Sequence, residues 1–365
     1  MTPQLVSEAR RLADVLGGGS SVVKGPLKGY HHETYVLFLP GGSRIVKVRE
    51  PRAEILWFDR RCFRSEEDLL RALQGRITRI PDIVDVEGMG LQGFIEGRTV
   101  GGGPLWWRRR VPASVFGQIV DLFREMARIT PDTLTVDRRC GNRDRAEEGD
   151  CNGFLDRLIV FCEDQVFDKN SERFGELFGE LGVERESFSH LRKHVSGLGE
   201  RPFCLLHGDL HRQNLIVDPG GRLWAIDWEL AMFGDPLYDL ATHLYLMKYP
   251  AAQERGMARA WCEVVEQARP GSSRGWAEDL PKILAFKKAQ SVYTDIVRVS
   301  QSLLGPEGAA FSRAGIPWAA LKLQKVLGDA AGTLGLKRVP SHSEIAGALV
   351  RWSRAQDAYG MNSTA

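Results

Sequence analysis

The stretch HGDLHRQNLIVDPGGRLWAIDWE, running from His207 to Glu229, decides how this chain is read. Two short apolar runs, LIV and LWAI, flank the turn-forming cluster D-P-G-G-R, and that arrangement predicts a β-hairpin. Folded symmetrically about Gly220 and Gly221, the hairpin pairs Leu215 with Ile226 and, one step further out, Asn214 with Asp227. Paired positions bring their β-carbons to roughly 4.5 to 5.5 Å. An amide oxygen and a carboxylate then project from one end, a donor set suited to Mg2+, which takes one or two protein oxygens and completes its octahedron with phosphate and water. Asp209 stands five positions before Asn214 in the loop entering the first strand. A carboxylate there accepts the proton of a substrate hydroxyl while cations neutralise a transferring phosphoryl group. The order Asp209, four intervening residues, Asn214 and then Asp227 is the spacing that phosphoryl transfer uses. A polar cluster capping a hairpin would explain any one of these residues, but not three residue types at two constrained spacings.

At 365 residues the chain exceeds one compact core of ordinary size, so two lobes are expected. The first hundred residues carry short β-branched and aromatic runs: TYVLFL and RIVKVRE, joined by PGGS, read as another hairpin. Phe63 to Leu73 predicts a helix that starts near Ser65 and places Phe63, Leu69, Leu70 and Leu73 on one face. After IVDVEG, the segment LQGFIEG reads as one more short strand ending in a glycine turn. From Pro112 onward helical periodicity dominates, and the hairpin is nearly the only strand signal there. The expectation is an α+β fold with a small β-rich amino-terminal lobe over 1–100 and a larger, mainly helical lobe over 101–365. GGGPLWWRRR is the expected crossing, its Trp106 to Arg110 string open to two readings: an anion-binding edge of an acceptor pocket, or a solvated cluster.

HGDLHRQNLIV followed by IDWELAMFGDPLYDLA resembles the aminoglycoside phosphotransferase and choline kinase family. The resemblance implies a bilobal protein-kinase-like fold and an enzyme that moves the γ-phosphoryl group of ATP or GTP, with Mg2+, to a hydroxyl of a small molecule. It implies that Asp209 is the catalytic base, that Asn214 and Asp227 bind magnesium, that His207 braces the catalytic loop, and that Asp235, with Asp239, opens the next helix. In the amino-terminal lobe it implies that Lys47 contacts the α and β phosphates and that Glu66, with Glu67 as the near alternative, is its acidic partner. The phosphate-covering loop would be KGPLKGYHHET, which offers Gly25 and Gly29 in place of a G-x-G-x-x-G pattern. LQGFIEG resembles the linker between lobes, with backbone groups of Gly93 to Ile95 bonding the purine and Gln92 beside it.

The acceptor expected from the resemblance is an antibiotic, either an aminoglycoside or a nucleoside or peptide antibiotic of the capuramycin or viomycin type. A metabolic kinase of sugar, choline or homoserine type is the alternative, as is a catalytically inactive kinase-like binding module, which would be favoured by loss of a central residue; none is missing. A protein kinase is disfavoured by Asp-Trp-Glu where Asp-Phe-Gly is expected and by the lack of an Ala-Pro-Glu segment.

A formal charge of +2 on 49 basic and 47 acidic residues gives no footprint for nucleic acid. The amino terminus is amphipathic without an apolar h-region and no segment reads as a membrane span, so the expected compartment is the cytoplasm. Six scattered cysteines without C-x-x-C spacing read as reduced packing residues, with a Cys140 to Cys151 bridge as the alternative that a reducing compartment opposes. His207 and His211, four apart, read as loop residues and not as a metal pair, since no third ligand lies near. Glu229 has two readings, a salt-bridging residue first and a residue reaching the metal site as the alternative.

Overall fold

The computed structural model describes residues 7–16, 23–27, 32–39, 44–51, 56, 58–101, 110–304 and 311–362. Two compact units divide the chain: Met1–Ile55, Arg61–Gly141 and Pro202–Ser273 form one, and Leu56–Arg60, Asn142–Arg201 and Arg274–Ala365 the other.

The first unit starts with helix α1 (Glu8–Leu16), then strands β1 (Val23–Leu27), β2 (His32–Phe38) and β3 (Ile45–Pro51). After helix α2 (Glu66–Leu73) come β4 (Ile83–Val86), β5 (Met89–Gly93), the short β6 (Arg98–Thr99) and helix α3 (Ala113–Ala127). The sheet order β1-β2-β3-β5-β4 is antiparallel throughout. Alternation places Val46 and Val48 on the face covered by α1, against Ala9, Ala13, Tyr35 and Leu37. Lys47 and Arg49 therefore share the other face. Ser65 caps α2 by accepting the Asp68 N–H at 3.0 Å, so the helix begins one residue later and Phe63 stands outside it, bridged to Arg138.

The second unit receives α4 (Cys151–Phe161), which continues into a π-helical turn over Cys162–Phe167, then α5 (Ser171–Glu180) and α6 (Ser187–Val195). The chain returns to the first unit for β7 (Cys204–Leu206), β8 (Leu215–Val217), β9 (Leu223–Ala225), β10 (Met232–Gly234), α7 (Pro236–Met247) and α8 (Ala251–Ala268). It closes in the second unit with α9 (Trp276–Ser302), α10 (Ile316–Leu334) and α11 (His342–Asn362). Within that second unit Phe188 stacks on Tyr293 at 4.5 Å and Phe174 on Trp352 at 5.1 Å, joining α6 to α9 and α5 to α11. Its buried Arg201 pairs with Asp279 at 2.8 Å.

The hairpin lies where its turn residues predict, but its register differs by one residue. Leu215 pairs with Ala225 and Ile216 with Trp224, and the Ile226 N–H donates to the Asn214 carbonyl at 2.9 Å. The loop holds three residues and not two: Asp218 pairs with Arg222 around Pro219, Gly220 and Gly221, and Gly221 takes φ +76°. Proline is at home in the first central position of such a turn, and the left-handed third position wants glycine. Asn214 thus faces Ile226, and Asp227 lies one step beyond the ladder. β6 pairs on β8, and β7 with β10 forms a two-stranded ribbon that the sequence reading did not anticipate.

Five stretches expected as strands or helices (TYVLFL, RIVKVRE, ASVFGQIVDLFREMARI, WAEDLPKILAFKKAQSVYTDIVRVSQSLL and SEIAGALVRWSRAQDAYG) carry β2, β3, α3, α9 and α11. The six cysteines are thiols, so Cys140 and Cys151 are not bridged to each other. Among the described residues no helix is long and apolar enough to cross a membrane.

Candidate active site

The geometry of the loop that carries Asp209 begins with Gly208, whose φ of +78° and close approach to the Leu230 carbonyl leave no room for a β-carbon. On either side the backbone is held by Asp239 of α7, which accepts the His207 N–H at 2.8 Å and the Gly208 N–H at 2.9 Å. Helix α7 can present a carboxylate there because it is buried on nearly every side; Asp235 caps it by accepting the Leu237 N–H at 3.0 Å, with Pro236 in the first turn.

Two histidines fix the loop further. His207 is buried, and its Nδ1 accepts the Asp209 N–H at 3.3 Å, so Nε2 carries the proton and donates to the Ile226 carbonyl at 3.1 Å. Burial lowers the His207 pKa and keeps the ring neutral. From α7, His243 donates Nδ1–H to the Leu210 carbonyl at 2.8 Å and accepts from the Tyr249 hydroxyl at 2.9 Å. Burial pushes the His243 pKa down to about 4, so this support stays neutral across working pH. Arg212 Nε donates to the Met247 carbonyl at 2.9 Å. The backbone is therefore anchored at the peptide before Asp209 and again at the Leu210 carbonyl after it.

The Asn214 amide donates Nδ2–H to the Asp209 carbonyl at 2.9 Å and to Asp209 Oδ2 at 3.2 Å. That orientation turns Asn214 Oδ1 away from Asp209 and leaves it as an available oxygen. Asp227 holds φ +68°, a conformation costly for a non-glycine residue and kept only where its surroundings impose it. Burial, Glu66 and Glu229 all raise the Asp227 pKa. A buried carboxylate crowded by other acids is a place that a cation relieves. Among the described residues no group of three or more His, Cys, Asp or Glu side chains could hold a metal alone. Asn214 and Asp227 fit a Mg2+ that takes its remaining ligands from phosphate and water.

Glu66 is buried at the start of α2; its Oε1 accepts the Trp228 N–H at 2.7 Å, tying the helix to the residue after Asp227. Its ion-pair partner is Arg49, not Lys47. The Arg49 guanidinium meets Glu66 Oε2, reaches Glu67 at 3.0 Å, and lies 3.9 Å from Asp227. Burial works against the Glu66 carboxylate, yet Arg49 and Lys47 hold its pKa below the usual range. Among the described residues no hydrogen bond or ion pair engages the Lys47 amine, whose proton affinity falls through burial and the neighbouring Arg49.

Lys47, Asp209, Asn214 and Asp227 line one cavity of about 710 Å3. Its apolar lining includes Leu27, Phe94, Ile216 and Ile226, and Gly93 and Ile95 border it. A β-carbon at Gly93 would overlap Asp82 Oδ1, the end of an exposed side chain, so a larger residue there requires Asp82 to swing aside. Gln92 does not border the cavity. It pairs with Lys47 across β5 and β3, so its side chain projects on the Lys47 face and donates to Glu67 at 2.9 Å. Gly29 and Trp106 to Arg109 lie outside the described residues. Arg49 and His243 are the site residues given no role from sequence; Asp239, expected only as part of the opening of α7, instead holds the loop at His207 and Gly208, and His211 is expected only as a loop residue. Period two from Lys47 marks Arg49, and a helical step from Asp239 marks His243.

The sequence pattern of the phosphotransferase enzyme family, APH, matches residues 22–276. This chain belongs to that family. It is a kinase-like small-molecule phosphotransferase of mixed α and β structure. Among solved structures, the chain is similar to a choline/ethanolamine kinase family protein from Mesorhizobium loti, at 15% identity over 89% of this chain and 91% of that one, with a TM-score of 0.49. An aminoglycoside phosphotransferase in ternary complex with ADP and hygromycin B is 15% identical over 94% of this chain and 98% of its own, with a TM-score of 0.47. A macrolide 2′-phosphotransferase from Brachybacterium faecium is 14% identical over 91% and 99%, with a TM-score of 0.44.

Proposed function

We propose that this APH-family enzyme transfers the γ-phosphoryl group of ATP or GTP, in the presence of Mg2+, to a hydroxyl of a small molecule. The reading is carried by one observation: Asp209, Asn214, Asp227 and the uncommitted Lys47 amine face a single cavity that Leu27, Phe94, Ile216 and Ile226 also line. The apolar residues suit a purine between Leu27 and Ile216, with the backbone at Gly93 to Ile95 along its edge. Lys47 takes the non-transferred phosphates, and Arg49 anchors α2 through Glu66. Residues 1–100 then supply most nucleotide contacts, while 101–365 supply the catalytic loop and the acceptor-binding helices.

Asp209 accepts the acceptor hydroxyl's proton as the hydroxyl oxygen forms its bond to the γ-phosphorus and the bond to the β–γ bridging oxygen breaks, releasing the nucleoside diphosphate. Asn214 Oδ1 and the Asp227 carboxylate would hold Mg2+, which when bound neutralises phosphate charge. Positioning and charge neutralisation supply most of the acceleration in such transfers. The acceptor class is a hydroxylated antibiotic of the aminoglycoside, nucleoside or peptide type, and the reaction draws on the cytoplasmic nucleotide pool.

Incubating the protein with Mg2+ and ATP or GTP against a panel of hydroxylated antibiotics, sugars, choline and homoserine tests this, with mass spectrometry reading phosphorylated product. An antibiotic gaining one phosphoryl group supports the full reading. A phosphorylated metabolite alone moves the acceptor to primary metabolism, and nucleotide that neither binds nor is consumed overturns the proposal.

A further inference from the structure

Among the described residues, His211 is the one charged or ionisable group bordering the cavity that the proposed chemistry leaves without a role, apart from the anchoring Arg49. Its ring is pinned at both nitrogens. Nδ1 receives the Gln213 N–H at 3.0 Å, and a backbone N–H can only donate. The neutral ring therefore carries its proton on Nε2, which lies 3.3 Å from Asp209 Oδ2. The same Oδ2 already receives the Asn214 amide at 3.2 Å. Two donors thus converge on one oxygen of the proposed base, and among the described residues none meets Oδ1.

We infer that His211 is a positioning residue: with Asn214 it locks the Asp209 carboxylate through Oδ2, so that Oδ1 alone is presented to take the acceptor hydroxyl's proton. This rests on the reading of Asp209 as the base. A carboxylate oxygen holding two donors is the poorer proton acceptor of its pair, and rotation of the group would break both bonds. The tautomer also excludes His211 as a relay that removes the proton from Asp209, because the nitrogen facing Asp209 is already protonated. Charged groups around the ring agree with a donor: burial lowers the His211 pKa, but Asp209, and less strongly Asp227, raise it above the ordinary value. The rings of His207 and His243 are near enough to feel its charge.

Two substitutions separate the ring's functions. Glutamine places an N–H donor near the position of Nε2, and asparagine keeps an acceptor near Nδ1 for the Gln213 N–H but reaches no further. Nitrogen-15 NMR of histidine-labelled protein, with the His211 signals identified by their loss in His211→Gln, should show the Nε2–H tautomer. It should also show a titration above the ordinary histidine value that moves down in Asp209→Asn. In parallel, phosphate release from Mg·ATP to water should fall roughly tenfold in kcat for His211→Asn, part of the hundredfold or more that a placed base contributes. KM for ATP should be unchanged, and His211→Gln should recover most of the rate. An Nδ1–H tautomer, a titration indifferent to Asp209→Asn, or equal rates in the asparagine and glutamine variants overturns the inference. If Asp209→Asn itself turns over ATP like the wild type, the base assignment fails instead, while the NMR still reports the His211 contact.

Discussion

Glu66 tests whether the ion pair behind the cavity belongs to Arg49, as the geometry has it, or to Lys47. Glu66→Gln keeps an oxygen for the Trp228 N–H, now 2.7 Å from the carboxylate, and removes only the charge. The Glu66 side chain is fully buried and that of Arg49 is 15% exposed, which puts this pair near the buried end of the scale, where removing one partner costs about 3 to 5 kcal/mol. Glu67 remains 3.0 Å from the guanidinium and offsets part of the loss. The expected destabilisation is therefore about 2 kcal/mol. Guanidinium denaturation followed by circular dichroism, in double-mutant cycles with Arg49→Met and with Lys47→Met, isolates each pair. Coupling to Arg49 should reach at least about 1 kcal/mol and exceed coupling to Lys47. A larger coupling to Lys47, or additive effects with Arg49, would refute the assignment.

Gly208→Ala should cost about 2 kcal/mol or more, since alanine must adopt φ +78° with its β-carbon 2.5 Å from the Leu230 carbonyl oxygen; melting temperature and phosphoryl transfer should fall together. Asp218 accepts from the Trp224 indole at 2.9 Å and from the Arg222 N–H at 3.0 Å, which hold its pKa down at about 2. The native pKa lies below that of the unfolded chain, so its contribution is complete above about pH 4 and lost as pH falls through 2. Asp218→Asn should accordingly be less stable than the wild type at neutral pH and converge with it in acid, as read by thermal denaturation across pH.

What the sequence disclosed was mostly local. The spacing of Asp209, Asn214 and Asp227 is set within one hairpin and its entry loop, so the three residues could be placed together before any packing was known. Their register could not, because symmetric folding about two glycines ignores that Pro219 makes a three-residue loop, with Gly221 left-handed. Asp227 leaves the ladder through a left-handed backbone conformation, which aspartate adopts more readily than most residues but which nothing in the local sequence assigns to this position. Arg49 and Lys47 are equally spaced cations on one strand face, and only the packing of α2 against that face selects Arg49 as the partner of Glu66. Gln92 illustrates the complement: the strand was foreseen, but its side chain, on the Lys47 face, is taken up by a bond to Glu67 and does not border the cavity. Helix α7 hides its period because it is buried on nearly every side, and β7 and β10, at three residues each, are too short to show alternation.

Titration calorimetry of ATP and GTP with and without Mg2+, on the wild type and on Asp227→Ala, addresses the metal-dependent nucleotide site directly. The wild type should bind at least one nucleotide roughly tenfold or more tightly with Mg2+ than without, and Asp227→Ala should lose that increment while keeping weak metal-free binding. Nucleotide that does not bind the wild type, or a Mg2+ increment that survives in Asp227→Ala, would contradict the account.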